Sequence, residues 1–176
     1  MPKSIINRPA SDEYDPFYDT YIRLVPHQEL FQTLSDQKQE TARLLRSISE
    51  EESKRRYAPG KWSIKEVVGH ICDTERIMAY RALRIARGDQ TPLPGFEQDD
   101  YVRAAGFDSI PVIDLVNEFQ LVREATLPLL RGFEEQALER RGTANKVSIS
   151  VLALAYIIAG HERHHVGILR NRYLQK

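Results

Sequence analysis

The sequence predicts an all-α fold: a four-helix bundle with a long connection between its second and third helices. Three observations carry this reading. Apolar residues recur at the 3.6-residue spacing of a helix over four long stretches. Strand-like alternation is nearly absent. One long stretch between helical segments, residues 87–111, holds three prolines and three glycines. Long amphipathic helices with little else beside them bury their apolar stripes against one another as a bundle.

The elements follow in order. Residues 1–13 read as an irregular N-terminal extension of a single domain spanning 1–176. Leu30, Leu34, Thr41, Leu45 and Ile48 keep helical rhythm and give a first helix over about 27–48. His27, near its start, reads as a capping or surface residue. The charged connection "SEEESKRRYAPGK" follows. The second helix has a sharp start in "WSIKEVV", where Ser63 and Glu66 form a capping box. Trp62 and Val67 flank it as a hydrophobic staple. Val67, Val68, Ile71, Ile77, Met78 and Leu83 carry its apolar face to about Ala86, and Gly88 stops it. Cys72 points away from His70 and reads as a small buried hydrophobe.

The 87–111 connection contains a short helical piece around Gln98 to Ala105. A connection of this length in a compact unit is usually functional or a crossover. The third helix runs from about Val112 to Gly132, where Pro128 is expected to kink or break it. The fourth runs from about Ser148 to Leu174, capped by Ser148 or Asn145.

Composition excludes several classes. Lys plus Arg and Asp plus Glu are both 25, so the net charge is zero. That balance gives no electrostatic case for nucleic acid or an anionic membrane. The longest apolar run, "VLALAYIIA", is far shorter than the roughly 20 residues a membrane helix needs. A lone cysteine excludes an intramolecular disulfide and a cysteine zinc knuckle. The expected location is the cytoplasm.

The chemistry lies in the histidines. In "GHERHHVGIL", His161, Glu162 and His165 spell H-E-x-x-H, the zinc-peptidase signature. His161 and His165 lie one turn apart, roughly 40° around the axis. They share a stripe with Leu154, Ile158 and Ile168, so two imidazoles interrupt an apolar row. Burying two neutral rings without partners costs a few kcal/mol, and a shared metal ion removes that cost. Histidines at this spacing also occur on partly exposed helix faces. His164 turns roughly 80° from their midline. The peptidase reading fails on context: no His, Asp or Glu follows His165, and no edge strand is expected before the motif to hold a peptide. A third ligand then comes from upstream. His70 is the candidate, on the inward row Ser63, Val67, His70, Thr74 and Ile77, if the second and fourth helices are neighbours. Three histidines with an open fourth position make a catalytic rather than a closed structural arrangement. Imidazoles suit zinc, nickel or iron. Glu162, about 100° from His161 around the helix, reads as pointing toward a neighbour helix, and Asp73 as a group that holds an imidazole N–H; the alternative for both is an ordinary surface carboxylate.

The run Trp62, Ser63, Lys65, Glu66, His70 with the later His161 and His165 resembles the DinB-like superfamily, most closely its YfiT-like branch. The resemblance covers nearly the whole chain after about Tyr14. It implies a four-helix bundle, a divalent metal (zinc or nickel) on His70, His161 and His165, and homodimers. It also implies activities ranging from low-molecular-weight thiol transfer to metal-dependent hydrolysis. The sequence expectation is thus a metal-dependent enzyme that activates a small thiol cosubstrate for attack on a small-molecule electrophile. The alternatives are hydrolysis through a metal-activated water and a non-enzymatic, stress-linked metal-binding module. No residue is assigned as acid, base or nucleophile. A pocket beside the histidines, roofed by residues 87–111 and lined by Phe96 or Tyr101, is the feature that separates enzyme from binding module.

Overall fold

A computed structural model describes residue 5 and residues 7–175. The expected extension over 1–13 lies partly outside them; residues 7–13 form bends and turns only. A 3-10 turn, Pro16–Tyr18, leads into the one-turn helix α1, Asp19–Ile22. The bundle helices are α2, Leu30–Arg46; α3, Ile64–Ala86; α5, Val112–Arg131; and α7, Val151–Ile168. Between them lie the short helices α4, Gln98–Ala105, and α6, Glu135–Leu138. A π-helical turn, Leu169–Tyr173, extends α7. Among the described residues, no helix is long and apolar enough to cross a membrane.

Local chemistry explains the helix ends. The Glu29 carboxylate accepts from the amides of Phe31 and Gln32 and caps α2. The capping box of α3 forms as the sequence predicts: Ser63 Oγ accepts from the Glu66 amide at 3.1 Å, and the Ser63 amide donates to Glu66 Oε2 at 2.7 Å. The fourth bundle helix starts later than expected. Ser150, not Ser148 or Asn145, caps it, accepting from the Ala153 amide at 2.9 Å. The residues before it are taken by an antiparallel hairpin, β1 (Arg141–Ala144) and β2 (Val147–Ser150). Its two-residue turn, Asn145 and Lys146, has both φ values positive, as a tight hairpin requires. Pro128 does not break α5. It sits on the exposed side in the last turn, where a missing amide costs a single hydrogen bond.

The helices pack in the ring α2–α5–α3–α7. Each neighbouring pair makes extensive contact except α7 and α2, whose contact is smaller. Helices α2 and α3, adjacent along the chain, therefore face each other diagonally. The 87–111 connection carries the chain from α3 to its neighbour α5. Helix α1 rests on α7 at Gly160, where a Cβ would meet the Tyr21 carbonyl oxygen at 2.1 Å.

Two apolar clusters fill the bundle. One centres on Leu30, Leu34, Ala82, Leu130 and Leu154, the other on Leu45, Val68, Leu115, Phe119 and Leu169. A buried polar layer lies between them. Arg123 of α5 is fully buried and donates through Nε and Nη2 to both oxygens of Glu75 on α3, each at 2.8 Å. Its Nη2 also donates to Glu162 of α7 at 2.7 Å, and its Nη1 to the Leu34 carbonyl of α2 at 2.9 Å. Thr41 Oγ1 donates to the second Glu162 oxygen at 2.6 Å. All four bundle helices meet in one network.

Removing one partner from such a network strands the others. Arg123→Met is expected to cost about 3–5 kcal/mol, because two carboxylates stay buried without their cation. Adding Glu75→Leu and Glu162→Met should restore most of that loss. Urea unfolding of the single and triple variants measures both values. A single variant as stable as the parent would remove the network from the account of the fold.

Candidate metal centre

The adjacency of α3 and α7 is the condition under which His70 meets His161 and His165, and the structure meets it. His70 Nε2 lies 2.9 Å from His161 Nε2, and His165 Nε2 lies 3.1 Å from the same atom. All three rings are buried, and their candidate donor atoms lie within 4.8 Å of one another. Among the described residues this is the group of three or more side chains able to hold a metal ion.

The donor set fits a divalent cation. Tetrahedral ligands at 2.0–2.1 Å stand about 3.3 Å apart, close to the spacing of these nitrogens. The rings are held in the form a metal needs. Burial, then the positive end-state of neighbouring His164, lowers the His70 pKa to about 4. Burial and the adjacent histidines hold His161 and His165 well below the ordinary value. All three are therefore neutral near pH 7, each with a lone pair to give. One cation takes three converging lone pairs, whereas protons shared among three Nε2 atoms cannot satisfy them all.

The rings around the cluster fix it. Trp62 lies over it, its ring centroid 4.8 Å from that of His70 and 6.4 Å from that of His165. Tyr21 meets the His161 and His164 rings edge-on, each at 5.3 Å. Thr74 Oγ1 is 3.5 Å from His70 Nδ1 and is the group placed to orient that ring.

The other sequence candidates divide. His164 is half-buried and off the ligand cluster; His27 is exposed. Cys72 is fully buried, and burial pushes its thiol pKa well up, so it is inert here. Asp73 orients no imidazole; its carboxylate lies 3.7 Å from Arg76. Glu162 points at neighbouring helices, as the sequence suggests, and is not a surface group: Arg123 of α5 and Thr41 of α2 hold its carboxylate. Burial raises its pKa, which the Arg123 charge and the Thr41 hydrogen bond only partly offset. One ground against a peptidase is overturned: β2 does precede the motif. A different ground comes from the structure, since Glu162 is committed to the core.

A cavity of about 260 Å³ opens on His70 and His161. Gly95, Phe96, Glu97 and Gln98 of the 87–111 connection line it, as the sequence suggests for Phe96; Tyr101 instead packs on Phe96 at 5.2 Å. Leu93 pins that connection to the hairpin, donating to the Thr143 carbonyl and accepting from the Asn145 amide. Asn145 also lines the cavity, and only a glycine at position 95 leaves it room, since a Cβ there would meet its Oδ1 at 2.2 Å. Phe17, Tyr18, Tyr21 and Arg81 complete the wall. Sequence reasoning missed these four and gave Trp62 only a capping role and a place in the family motif. For the three aromatics the signal was present in "YDPFYDTYI", four aromatics within one short segment.

The sequence model of the DinB superfamily matches residues 33–169. The chain belongs to the DinB superfamily. Two further likenesses agree with that membership. The Oceanobacillus iheyensis protein named "Putative metal-dependent hydrolase OB0413" is 27% identical over 127 residues, covering 70% of this chain and 72% of that one. The solved structure of YfiT from Bacillus subtilis, described as a probable metal-dependent hydrolase with an unusual four-helix bundle topology, aligns with a TM-score of 0.67. It covers 93% of this chain and 92% of YfiT at 17% identity, a likeness of fold. Within the DinB superfamily framework the three histidines sit on the second and fourth bundle helices, either side of one packed interface.

Two outcomes test the centre. His165→Ala should abolish stoichiometric binding of zinc or nickel, measured by elemental analysis, while His164→Ala keeps most of it. Trp62 is the only tryptophan. Its ring contact with His70 means that nickel or cobalt should quench its fluorescence on binding, in a one-to-one titration that His161→Ala removes.

Proposed function

We propose that this chain is an enzyme in which His70, His161 and His165 hold one divalent metal, zinc or nickel, at the floor of a cavity for a small molecule. The observation that carries this is the convergence of three neutral imidazole nitrogens, with two of the rings, His70 and His161, lining an open cavity. A structural site would close its fourth position with a protein ligand; the cavity supports a catalytic role over a binding module.

When bound, such a metal lowers the pKa of a coordinated thiol or water and so supplies a nucleophile near neutrality. The protein's own part is positional. His70 is oriented from Thr74, and His165 is stacked beneath Trp62, which also shields the ligand rings from water. The tyrosines and Phe96 give the cavity apolar walls against which a substrate can lie. We favour a low-molecular-weight thiol as nucleophile and a small electrophile as its acceptor. Glu162, the carboxylate nearest in sequence, is locked in the buried ion network, and a metal-activated thiol needs no general base. Hydrolysis is the second reading, favoured by Glu97 on the cavity wall and by the names of the two relatives. Cytoplasmic location and a homodimeric state belong to the same proposal.

Metal-loaded protein mixed with a panel of small thiols and chlorodinitrobenzene decides between the readings. The expected result is a thiol conjugate by mass spectrometry, formed in proportion to thiol and reduced at least a hundredfold in His161→Ala. Hydrolysis of simple esters or amides without any conjugate would replace transfer by hydrolysis. Neither reaction, at full metal occupancy, would leave a metal-binding module.

A further inference from the structure

Besides the histidines the cavity wall carries two charged side chains: Glu97 is exposed, Arg81 is buried. Arg81 belongs to α3 and is 3% exposed. Arg123, the other deeply buried arginine, is matched by two carboxylates. Arg81 is matched by none: among the described residues no ion pair includes it. Its guanidinium donates to the Pro94 carbonyl at 2.6 Å and makes a weak contact with Met78 Sδ at 3.7 Å. The Phe96 ring lies 5.9 Å away, and Tyr18 stands beside it on the same wall. A guanidinium offers five N–H donors, so neutral neighbours leave donors to spare. Burial of a lone cation is costly, and a counter-anion is what offsets it. Burial indeed lowers the Arg81 pKa, with only tyrosines pulling it back up.

We propose that Arg81 is the anion-binding end of the cavity, so that the molecule it takes carries a carboxylate at one end and its reactive group at the other. Arg81 lies about three turns, roughly 16 Å, along α3 from His70 and within roughly 20° of the same side. Both side chains lean toward the helix N-terminus, and the longer arginine reaches farther that way than the imidazole, which shortens the gap. The ligand is therefore a bifunctional organic anion with a chain of several atoms between its ends, not a free inorganic ion. The planar fork of a guanidinium matches a carboxylate through two parallel hydrogen bonds. Phe96 and Tyr18 give the intervening chain an apolar surface. The placement of the reactive end rests on the metal reading above; the anion subsite does not.

The test keeps the two apart. Cobalt-loaded protein is titrated by calorimetry and by visible absorption with 6-mercaptohexanoate and with its uncharged primary amide. Metal-free protein is titrated with hexanoate and hexanamide. We expect the acid to bind at least tenfold more tightly than the amide in both forms. The preference should fall to near unity in Arg81→Met and persist in Arg81→Lys. Loss of the Pro94 hydrogen bond alone would weaken acid and amide together and leave their ratio unchanged. Equal binding of acid and amide in the parent, or a ratio unchanged in Arg81→Met, overturns the proposal. A cobalt–thiolate absorption band with the amide but no acid preference would sink the subsite and spare the metal reading. An acid preference without any such band would do the reverse.

Discussion

The fork of Arg123 between Glu75 and Glu162 sets the register on which the rest of the structure depends. Apolar ridges alone allow two helices to slide by a turn at small cost, because one leucine fits much like another. A buried guanidinium that must meet two carboxylates and a backbone carbonyl, with a hydroxyl donating to one of those carboxylates, allows one arrangement only. Here those partners come from α2, α3 and α7. Glu75 follows His70 by little more than a turn of α3, and Glu162 is adjacent to His161. Fixing the two carboxylates on one arginine therefore fixes His70 and His165 to within hydrogen-bond distance of His161. The polar layer contributes specificity of packing more than stability, since buried ion pairs return little net energy against desolvation.

Charge completes that logic. The layer carries two acidic side chains against one guanidinium, and the histidines beside it are held neutral by burial. A dication among those imidazoles would thus sit near a partly unbalanced acidic interior rather than in a bare apolar core. Farther along α3, buried Arg81 faces the same cavity, and among the described residues no ion pair includes it. The cavity wall thus runs from neutral imidazoles at one end to a guanidinium at the other.

How much of this was legible in the sequence varies with the range of the interaction. The capping box at Ser63 and Glu66 acts within one helical turn, and the sequence predicts it to the residue. Helical periodicity predicts α4 and α5 to within a residue or two of their ends. The three histidines were legible because imidazoles on an apolar stripe are costly without a shared partner. The hairpin was not: four-residue strands are too short to show alternation, and Asn145–Lys146 lacks the glycine that usually marks such a turn. Its formation displaced the expected start of α7. The roles of Trp62, Arg81 and Arg123 depend on which helices are neighbours, and no local pattern in the chain carries that information. Glu162 was the hardest to place, because its letter belongs to a known motif.

That residue shows how one motif yields different chemistry in different surroundings. In an H-E-x-x-H helix the glutamate lies about 100° from the first histidine. Its use depends on whether that direction faces a cleft or a core. In α7 nearly every side chain from Val151 to Glu162 is buried, so the helix runs through the middle of the molecule and meets the cavity only at Ile157 and His161 among the described residues. Position 162 then points at α2 and α5, where Thr41 and Arg123 wait. A carboxylate so placed cannot reach a nucleophile at the histidines, and turning it there would leave Arg123 with one partner in place of two. His161, His165 and the buried brace share one helix segment and divide its two faces between them. The glutamate of the motif here fastens the helix that carries the two histidines.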